Sequence, residues 1–394
     1  MFYLIGIVVT FFLATILISK RGKTEADRIL VIWLAILGIH LSSFYLFITG
    51  RNLSLPYLLG LEIPFPLLHG PLVYLYTAEV TNQKVIGRFR IIHFVPFFLS
   101  YLPFIRFISS PAEHKIFVYQ NNGLGYETVM KFMLVAIIVS GVVYVALSLR
   151  LLAKHRQVIR SQFSYAEKIN LAWLRYLIYG IAAIWIVVIF GNDSATYSAA
   201  VLFVIFLGYF GIKQVGIFTQ KLPPDSPPAA GGQSEIEIPK PDFISETPPD
   251  PSNTVDGPGV EEPKKPKYQK SSLNAVTAEN IHTLLMKVMR EKKVYTNPEL
   301  TLAELALELN VHPNNLSQVI NTYEQKSFYD YINSKRVEEF KGIVSLPENQ
   351  RFTLLGLAQD CGFNSKTSFN RNFKNVTGLA PTEYLKQANI LLEQ

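Results

Sequence analysis

Lys366, Thr367, Asn370, Arg371 and Lys374 follow one another at alternating intervals of one and three residues, which puts all five on one face of an α-helix. Asn314, Asn315, Ser317, Gln318 and Asn321 share a helical face in the same way about fifty residues earlier. Asn and Gln present a donor beside an acceptor and so match an adenine edge in the major groove. Arg presents two parallel donors and matches guanine, while Lys and Thr hold phosphate oxygens. An ordinary solvated helix face uses the same residue types, so the elements that carry these faces decide between the two readings.

Both faces belong to one repeated object. Thr301-Leu302 echoes in Thr353-Leu354, Leu305-Ala306 in Leu357-Ala358, Asn310 in Gly362 and Val311 in Phe363, all at an offset of 52 residues. In the first copy Thr301 and Glu304 have the spacing of a capping box, and Leu302, Leu305, Ala306 and Leu309 form an apolar stripe. Asn310 suits the left-handed turn that ends this helix, and Pro313 suits the first turn of the next, whose core pair is Leu316 and Ile320. In the second copy Thr353 caps, Leu354, Leu357, Ala358 and Cys361 form the stripe, and Gly362 turns. Asn364 or Ser365 caps a helix whose core pair, Phe369 and Phe373, lies 53 residues beyond its counterpart, so this turn is one residue longer. Two helix-turn-helix units in one chain can enter successive major grooves about 34 Å apart, with a helix near Phe328–Val344 as the spacer.

With these motifs, residues 275–390 resemble the arabinose-regulator (AraC/XylS) family of bacterial transcription factors. The most specific stretch runs from Gly362 through Phe363, Asn364, Ser365, Lys366, Thr367, Ser368, Phe369, Asn370, Arg371, Asn372 and Phe373 to Lys374, followed by Thr377-Gly378-Leu379-Ala380-Pro381-Thr382-Glu383-Tyr384. The resemblance implies two helix-turn-helix units joined by a helix whose Arg is matched by Arg336. Gln318, Phe340 and Lys386 depart from the family pattern, which often has Arg, a small residue and Arg at those places. Family members usually join this module to a sensor, and multispan versions resemble those of Bacteroidetes-type bacteria.

Charge is distributed unevenly. Residues 1–222 hold 19 Lys and Arg against 8 Asp and Glu, residues 223–267 hold 4 against 9, and residues 268–394 hold 14 against 13. The net charge of +7 therefore originates in the first segment, and any affinity of the last for nucleic acid must come from local clustering. The single cysteine, Cys361, excludes an internal disulfide and reads as a small buried apolar residue.

Seven apolar stretches, near 2–19, 29–49, 57–78, 91–108, 128–149, 171–190 and 196–212, approach the ~20 residues that cross a bilayer as a helix. Alternate loops hold Lys20, Arg21, Lys23, Arg28, then Lys84, Arg88, Arg90, then Arg150, Lys154, Arg156, Arg160 and Lys168. The opposite side holds only Arg51, Arg106, Lys115 and Lys131. The positive-inside rule then places the N-terminus outside and the C-terminus in the cytoplasm. The first stretch lacks a positive n-region and a small-residue cleavage site, so it is expected to be retained rather than removed as a signal peptide.

Between Pro223 and Lys267 stand 12 prolines and almost no large apolar residues, a composition expected to be disordered. Such a tether spans roughly 35–40 Å and transmits proximity or oligomeric state rather than a rotation. Glu62, His69, His40 and His93 fall within apolar stretches, where ionisable groups are costly, and form a candidate intramembrane sensor site. Glu62 and His69 are two helical turns apart, with Pro64 and Pro66 expected to break the helix between them. No His-Glu-x-x-His, Gly-x-Ser-x-Gly or Gly-x-x-x-x-Gly-Lys motif occurs, and the sequence suggests neither an enzyme nor a bound metal or cofactor.

The expected architecture is all-α: a seven-helix transmembrane domain (1–218), a disordered Pro-rich linker (219–267) and an all-helical DNA-binding domain (268–394). The expected function is a membrane-tethered, sequence-specific DNA-binding transcription regulator of the bacterial cytoplasmic membrane that senses an envelope or lipid-soluble signal. The alternative is a transporter-like membrane protein with an accessory DNA-binding module. The partners called for are double-stranded DNA, the lipid bilayer, a signal ligand of unspecified chemistry and a second copy in a homodimer.

Overall fold

A computed structural model describes residues 1–83, 85, 87–165, 171–213 and 274–388, and the chain divides into two compact units. The first comprises Met1–Arg160 with Ala166–Ser226, the second Ser161–Tyr165 with Pro227–Gln394. The stretch expected to be a disordered linker, 219–267, lies outside the described residues. Those residues contain helices and turns and no strand, only one isolated β-bridge.

In the first unit α1 (Phe2–Ser19) packs on α2 (Glu25–Ile48), whose start is set by a capping box between Thr24 and Asp27. Asp27 is buried and also takes both its oxygens to Lys20 Nζ at 2.9 Å, so the charge removed from solvent is paired. Next come α3 (Pro66–Val80), α4 (Gly87–Ile92), α5 (Val95–Leu99), α6 (Ile105–Ile108) and α7 (Ala112–Gln120), then the long α8 (Glu127–Gln162), α9 (Ala172–Phe190) and α10 (Asp193–Lys213). Leu17, Leu30, Trp33, Leu41, Val73, Leu177, Ile178 and Val204 meet in its core. Its outer surface is also apolar: Val8, Phe12, Phe98, Phe132 and Phe190 are exposed, against the pattern of a water-soluble surface.

Among the described residues four helices, α1, α2, α8 and α9, are long and apolar enough to cross a membrane. Seven spans were expected, the third of them broken at Pro64 and Pro66, and proline accounts for two of the differences. The 57–78 stretch follows a 3₁₀ turn at Arg51–Ser54, starts within a second at Pro56–Leu58 and becomes α-helical only from Pro66. The 91–108 stretch is divided among α4, α5, a 3₁₀ turn at Leu102–Phe104 and α6, with Pro96 and Pro103 each in a first turn. Proline lacks the donor that continues a helix but fits its first turn. In the other direction, α8 runs past the expected end near residue 149 through Arg150, Lys154, Arg156 and Arg160, residues of good helix propensity with no breaker among them.

The second unit contains α11 (Ala275–Glu291), α12 (Leu302–Glu308), α13 (Pro313–Val319) with a π-turn over Ile320–Glu324, α14 (Phe328–Val344), α15 (Leu354–Asp360), α16 (Lys366–Thr377) and α17 (Pro381–Gln387). It has two cores rather than one. Ile281, Leu285, Leu305, Leu316, Ile320, Phe328, Tyr331 and Ile332 form the first. Val337, Phe340, Val344, Leu357, Cys361, Phe363, Phe369 and Phe373 form the second. Helix α14 gives its first half to one core and its second half to the other, so each helix-turn-helix unit is anchored on the same rigid rod. Phe340, where the family pattern has a small residue, packs tilted against Phe369 and edge-to-face against Phe373, with ring centres 4.7 and 5.7 Å away, and is completely buried. Burying a side chain of this size contributes roughly 1.5–3 kcal/mol.

Candidate nucleic-acid interface

The local signals of the first helix-turn-helix unit act as their chemistry requires. Thr301 Oγ1 accepts from the Glu304 amide at 3.2 Å, and Glu304 Oε2 accepts from the Thr301 amide at 2.8 Å. Asn310 takes φ +50°, the left-handed turn expected of it. His312 caps α13 through Nδ1, which accepts from the Asn314 amide at 3.2 Å, and Pro313 occupies the first turn. Val319 joins Leu316 and Ile320 in the core. Of the outward residues, Asn314, Gln318 and Asn321 are exposed, whereas Asn315 and Ser317 are half-buried.

In the second unit Thr353 Oγ1 accepts from the Gly356 amide at 3.1 Å, and Ser365, rather than Asn364, caps α16 by accepting from the Ser368 amide at 3.1 Å. Asn364 instead donates from Nδ2 to the Pro298 carbonyl at 3.1 Å. Ser368, Phe369, Asn372 and Phe373 form the buried face of α16, while Lys366, Thr367, Asn370, Arg371 and Lys374 are all exposed on the other. Three cations thus share one exposed face of α16, and α13 has none.

Two positioning residues escaped the sequence reading or were given no role there. Tyr329, 3% exposed on α14, accepts at its hydroxyl from Arg371 Nη2 at 2.6 Å and from Asn372 Nδ2 at 2.8 Å. The Arg371 guanidinium also lies 5.9 Å from the centre of the Tyr329 ring. Arg336, matched only through the family resemblance, is 2% exposed and donates from Nε to the Tyr295 carbonyl and from Nη2 to the Asn297 carbonyl, both at 2.7 Å. Its guanidinium lies 6.0 Å from the ring of Phe363, in the turn of the second unit. Neither contact has a signature in local spacing, because the partners are about forty residues apart.

Cys361 is completely buried, and burial, reinforced by Glu339 and Asp360, pushes its thiol up to about 12. It is packing material, as its setting in the sequence suggested. Burial and the hydrogen bond to Glu339 likewise raise Tyr295.

Of the four ionisable residues singled out in the apolar stretches, two are in direct contact. His40 and His69 meet, Nδ1 to Nε2 at 3.1 Å, with Trp33 Nε1 donating to His69 Nδ1 at 3.2 Å and Tyr197 Oη 2.7 Å from His40 Nε2. The indole can only donate, so His69 Nδ1 carries no proton in this arrangement. With neutral rings, His69 Nε2 then donates to His40 Nδ1 and His40 Nε2 donates to Tyr197. Glu62, before α3, accepts from the Tyr119 hydroxyl at 2.5 Å, and His93 pairs with Tyr144 at 2.9 Å. The helix break foreseen at Pro64 and Pro66 is present, since α3 begins only at Pro66 and leaves Glu62 outside the helix that carries His69. Among the described residues no group of three or more His, Cys, Asp or Glu is placed to hold a metal ion.

A family model described as a helix-turn-helix domain, of the AraC type, matches residues 305–387. No curated protein and no solved structure matches the chain. The matched region starts within α12 and ends at the last residue of α17, so it takes in both outward faces and the helix between them. The match supports DNA binding and regulation of transcription.

Proposed function

We propose that the protein is a membrane-tethered, sequence-specific regulator of transcription. The observation that carries this reading is the pair of exposed polar faces, on α13 and α16, whose helices are anchored in cores at opposite halves of the single buried helix α14. Each helix enters a major groove. Arg371 and Asn370 read base edges from α16, while Lys366, Thr367 and Lys374 hold phosphates beside them. Helix α13 and the π-turn after it offer Asn314, Gln318 and Asn321, with Asn315 and Ser317 at the margin of the face. They add sequence preference and little electrostatic attraction, because they carry no cation.

The first unit holds this module at the bilayer. Counting the two proline-broken stretches and α10 with the four long helices gives seven crossings, and the basic loops put the N-terminus outside and the module in the cytoplasm. The exposed apolar surface of that unit supports immersion in lipid. The hydrogen-bonded Trp33–His69–His40–Tyr197 chain is the element of this domain best suited to respond to a signal, since a change at any member must reorient the next. A second copy of the chain held in the same membrane raises the effective concentration of the module at a paired site.

Selection from random duplexes with the full chain in lipid nanodiscs tests the DNA reading. Two preferred blocks with centres about one helical turn, roughly 34 Å, apart support it. Recovery of sequences with no common element contradicts it.

A further inference from the structure

Ser161–Tyr165 precede the C-terminal domain by more than a hundred residues, yet they belong to the same compact unit. Phe163 pairs with Thr301 in an antiparallel bridge, and the Ser164 amide donates to the Leu300 carbonyl at 3.1 Å. The Ser164 carbonyl accepts from Asn333 Nδ2 at 2.9 Å and from Arg336 Nη1 at 3.3 Å, and its hydroxyl accepts from Arg336 Nη2 at 3.1 Å. Ser164 is 1% exposed, so its backbone donor, backbone acceptor and hydroxyl are all satisfied away from water. A chance surface contact does not satisfy every polar group of a buried residue in this way.

The partners of this segment define a surface on the domain: the backbone edge at Leu300–Thr301 on one side and Asn333 with Arg336 of α14 on the other. It fits a short bridged segment that presents a carbonyl and a small hydroxyl side by side. We infer that Phe163–Tyr165, directly after the last residues of α8, is an internal docking segment for the DNA-binding domain, and that docking fixes the placement of its two helix-turn-helix units.

The second half of the inference follows from what Arg336 joins. It also donates to Asn333 Oδ1 on its own helix and to the carbonyls of Tyr295 and Asn297, just before the first helix-turn-helix unit, and its guanidinium faces Phe363, in the turn of the second. Ser164 holds two of the three guanidinium nitrogens in that arrangement. Thr301, paired with Phe163, is the N-cap of α12. The segment therefore braces the residues that set one helix-turn-helix unit against the other while leaving both outward faces uninvolved in its bonds. In sequence it lies in the loop between the fifth and sixth apolar stretches, so anything that displaces that loop withdraws a structural part of the domain. This gives the signal a route to DNA that does not pass through the 219–267 stretch. The effect on DNA rests on the function proposed above, whereas docking itself does not.

Two measurements on the full chain in nanodiscs test the inference. Phe163→Cys with Thr301→Cys places two thiols at a bridged pair, within reach of a disulfide. After mild oxidation and cleavage at a protease site inserted between residues 230 and 260, the two pieces stay joined until reduced. Each single variant, which retains buried Cys361, serves as the control. Ser164→Pro removes the amide that bonds Leu300, and it is expected to weaken binding to the two-block site at least ~10-fold while leaving a single block unchanged. Ser164→Ala, which keeps the backbone bonds, is expected to fall between Ser164→Pro and wild type. Cross-linking no greater than in the single variants overturns docking. Cross-linking with an unchanged two-block preference in Ser164→Pro overturns the bracing role. Wild-type protein that binds no DNA sinks the proposed function and the bracing role with it, while the cross-link still decides docking.

Discussion

Tyr329 holds Arg371 in place: its hydroxyl accepts from Arg371 Nη2 at 2.6 Å, and its ring lies 5.9 Å from the guanidinium centre. A buried residue of the connecting helix thus orients an exposed residue of the second recognition helix. An exposed arginine otherwise loses much rotamer freedom when it binds, and an orienting partner lowers that cost. Tyr329→Phe keeps the ring and removes the hydroxyl. It is expected to weaken specific binding by about 1 kcal/mol, leave non-specific binding unchanged and cost about 1 kcal/mol of stability, because Asn372 loses the same acceptor. Competition titrations with specific and random duplexes, together with urea unfolding, separate the two effects.

Arg371 and Lys374 share the exposed face of α16 and are expected to fail differently when removed. Arg371→Ala costs about 1–3 kcal/mol at the preferred site and relaxes the base preference at one position. Lys374→Ala weakens all sequences alike and reduces the slope of log affinity against log salt by about 1. Salt-dependent binding to specific and scrambled duplexes reads both.

Gly362 and Gly378 provide a matched pair of turns. Both have positive φ, +96° and +80°, but a Cβ at Gly362 would sit 2.5 Å from the Tyr295 carbonyl and 2.9 Å from Arg336 Nε, whereas one at Gly378 meets nothing. Gly378→Ala is expected to cost about 1–2 kcal/mol, the backbone penalty alone. Gly362→Ala adds a clash with backbone in the seam between the two units and is expected to cost at least 1–2 kcal/mol more, on the order of 3 kcal/mol in all. Denaturant unfolding of the C-terminal domain gives the comparison.

The Cys361 thiol makes a prediction about pH. The fold disfavours its ionised form, so its contribution to stability is intact below about 8.5, the ordinary value for an unfolded thiol, and is lost as pH rises toward about 12. Between pH 8 and pH 9.5 the domain is expected to lose on the order of 1 kcal/mol, and Cys361→Ala is expected to flatten that loss. A thiol reagent at pH 8 should label Cys361 only in denaturant.

Local signals were legible in the sequence wherever one residue acts on its near neighbours. Thr301 with Glu304, Asn310, Pro313, Gly362 and the Phe369–Phe373 pair each declare themselves within four residues, and the structure places them as caps, turns and core. Of the seven expected membrane helices, the two richest in proline are interrupted: the break before Pro66 was legible in the paired prolines, whereas those at Pro96 and Pro103 were not, because overall hydropathy registers apolar content and not a missing amide. The polar pairings were the least legible. Glu62 and His69 suggested a pair by spacing, but His69 meets His40 and Tyr197 lies beyond, 157 residues from His40. Arg336 with Ser164 is separated by 172 residues, and no pattern along the chain points to it.

The central claim is that α13 and α16 bind DNA in sequence-specific fashion as one rigid pair. Footprinting of a selected duplex with the full chain in nanodiscs at moderate salt tests it most directly. The account predicts two protected blocks on one face of the duplex, about one turn apart, with both requiring a higher concentration of Arg371→Ala than of wild type. No protection at any concentration that leaves random DNA unbound would contradict it.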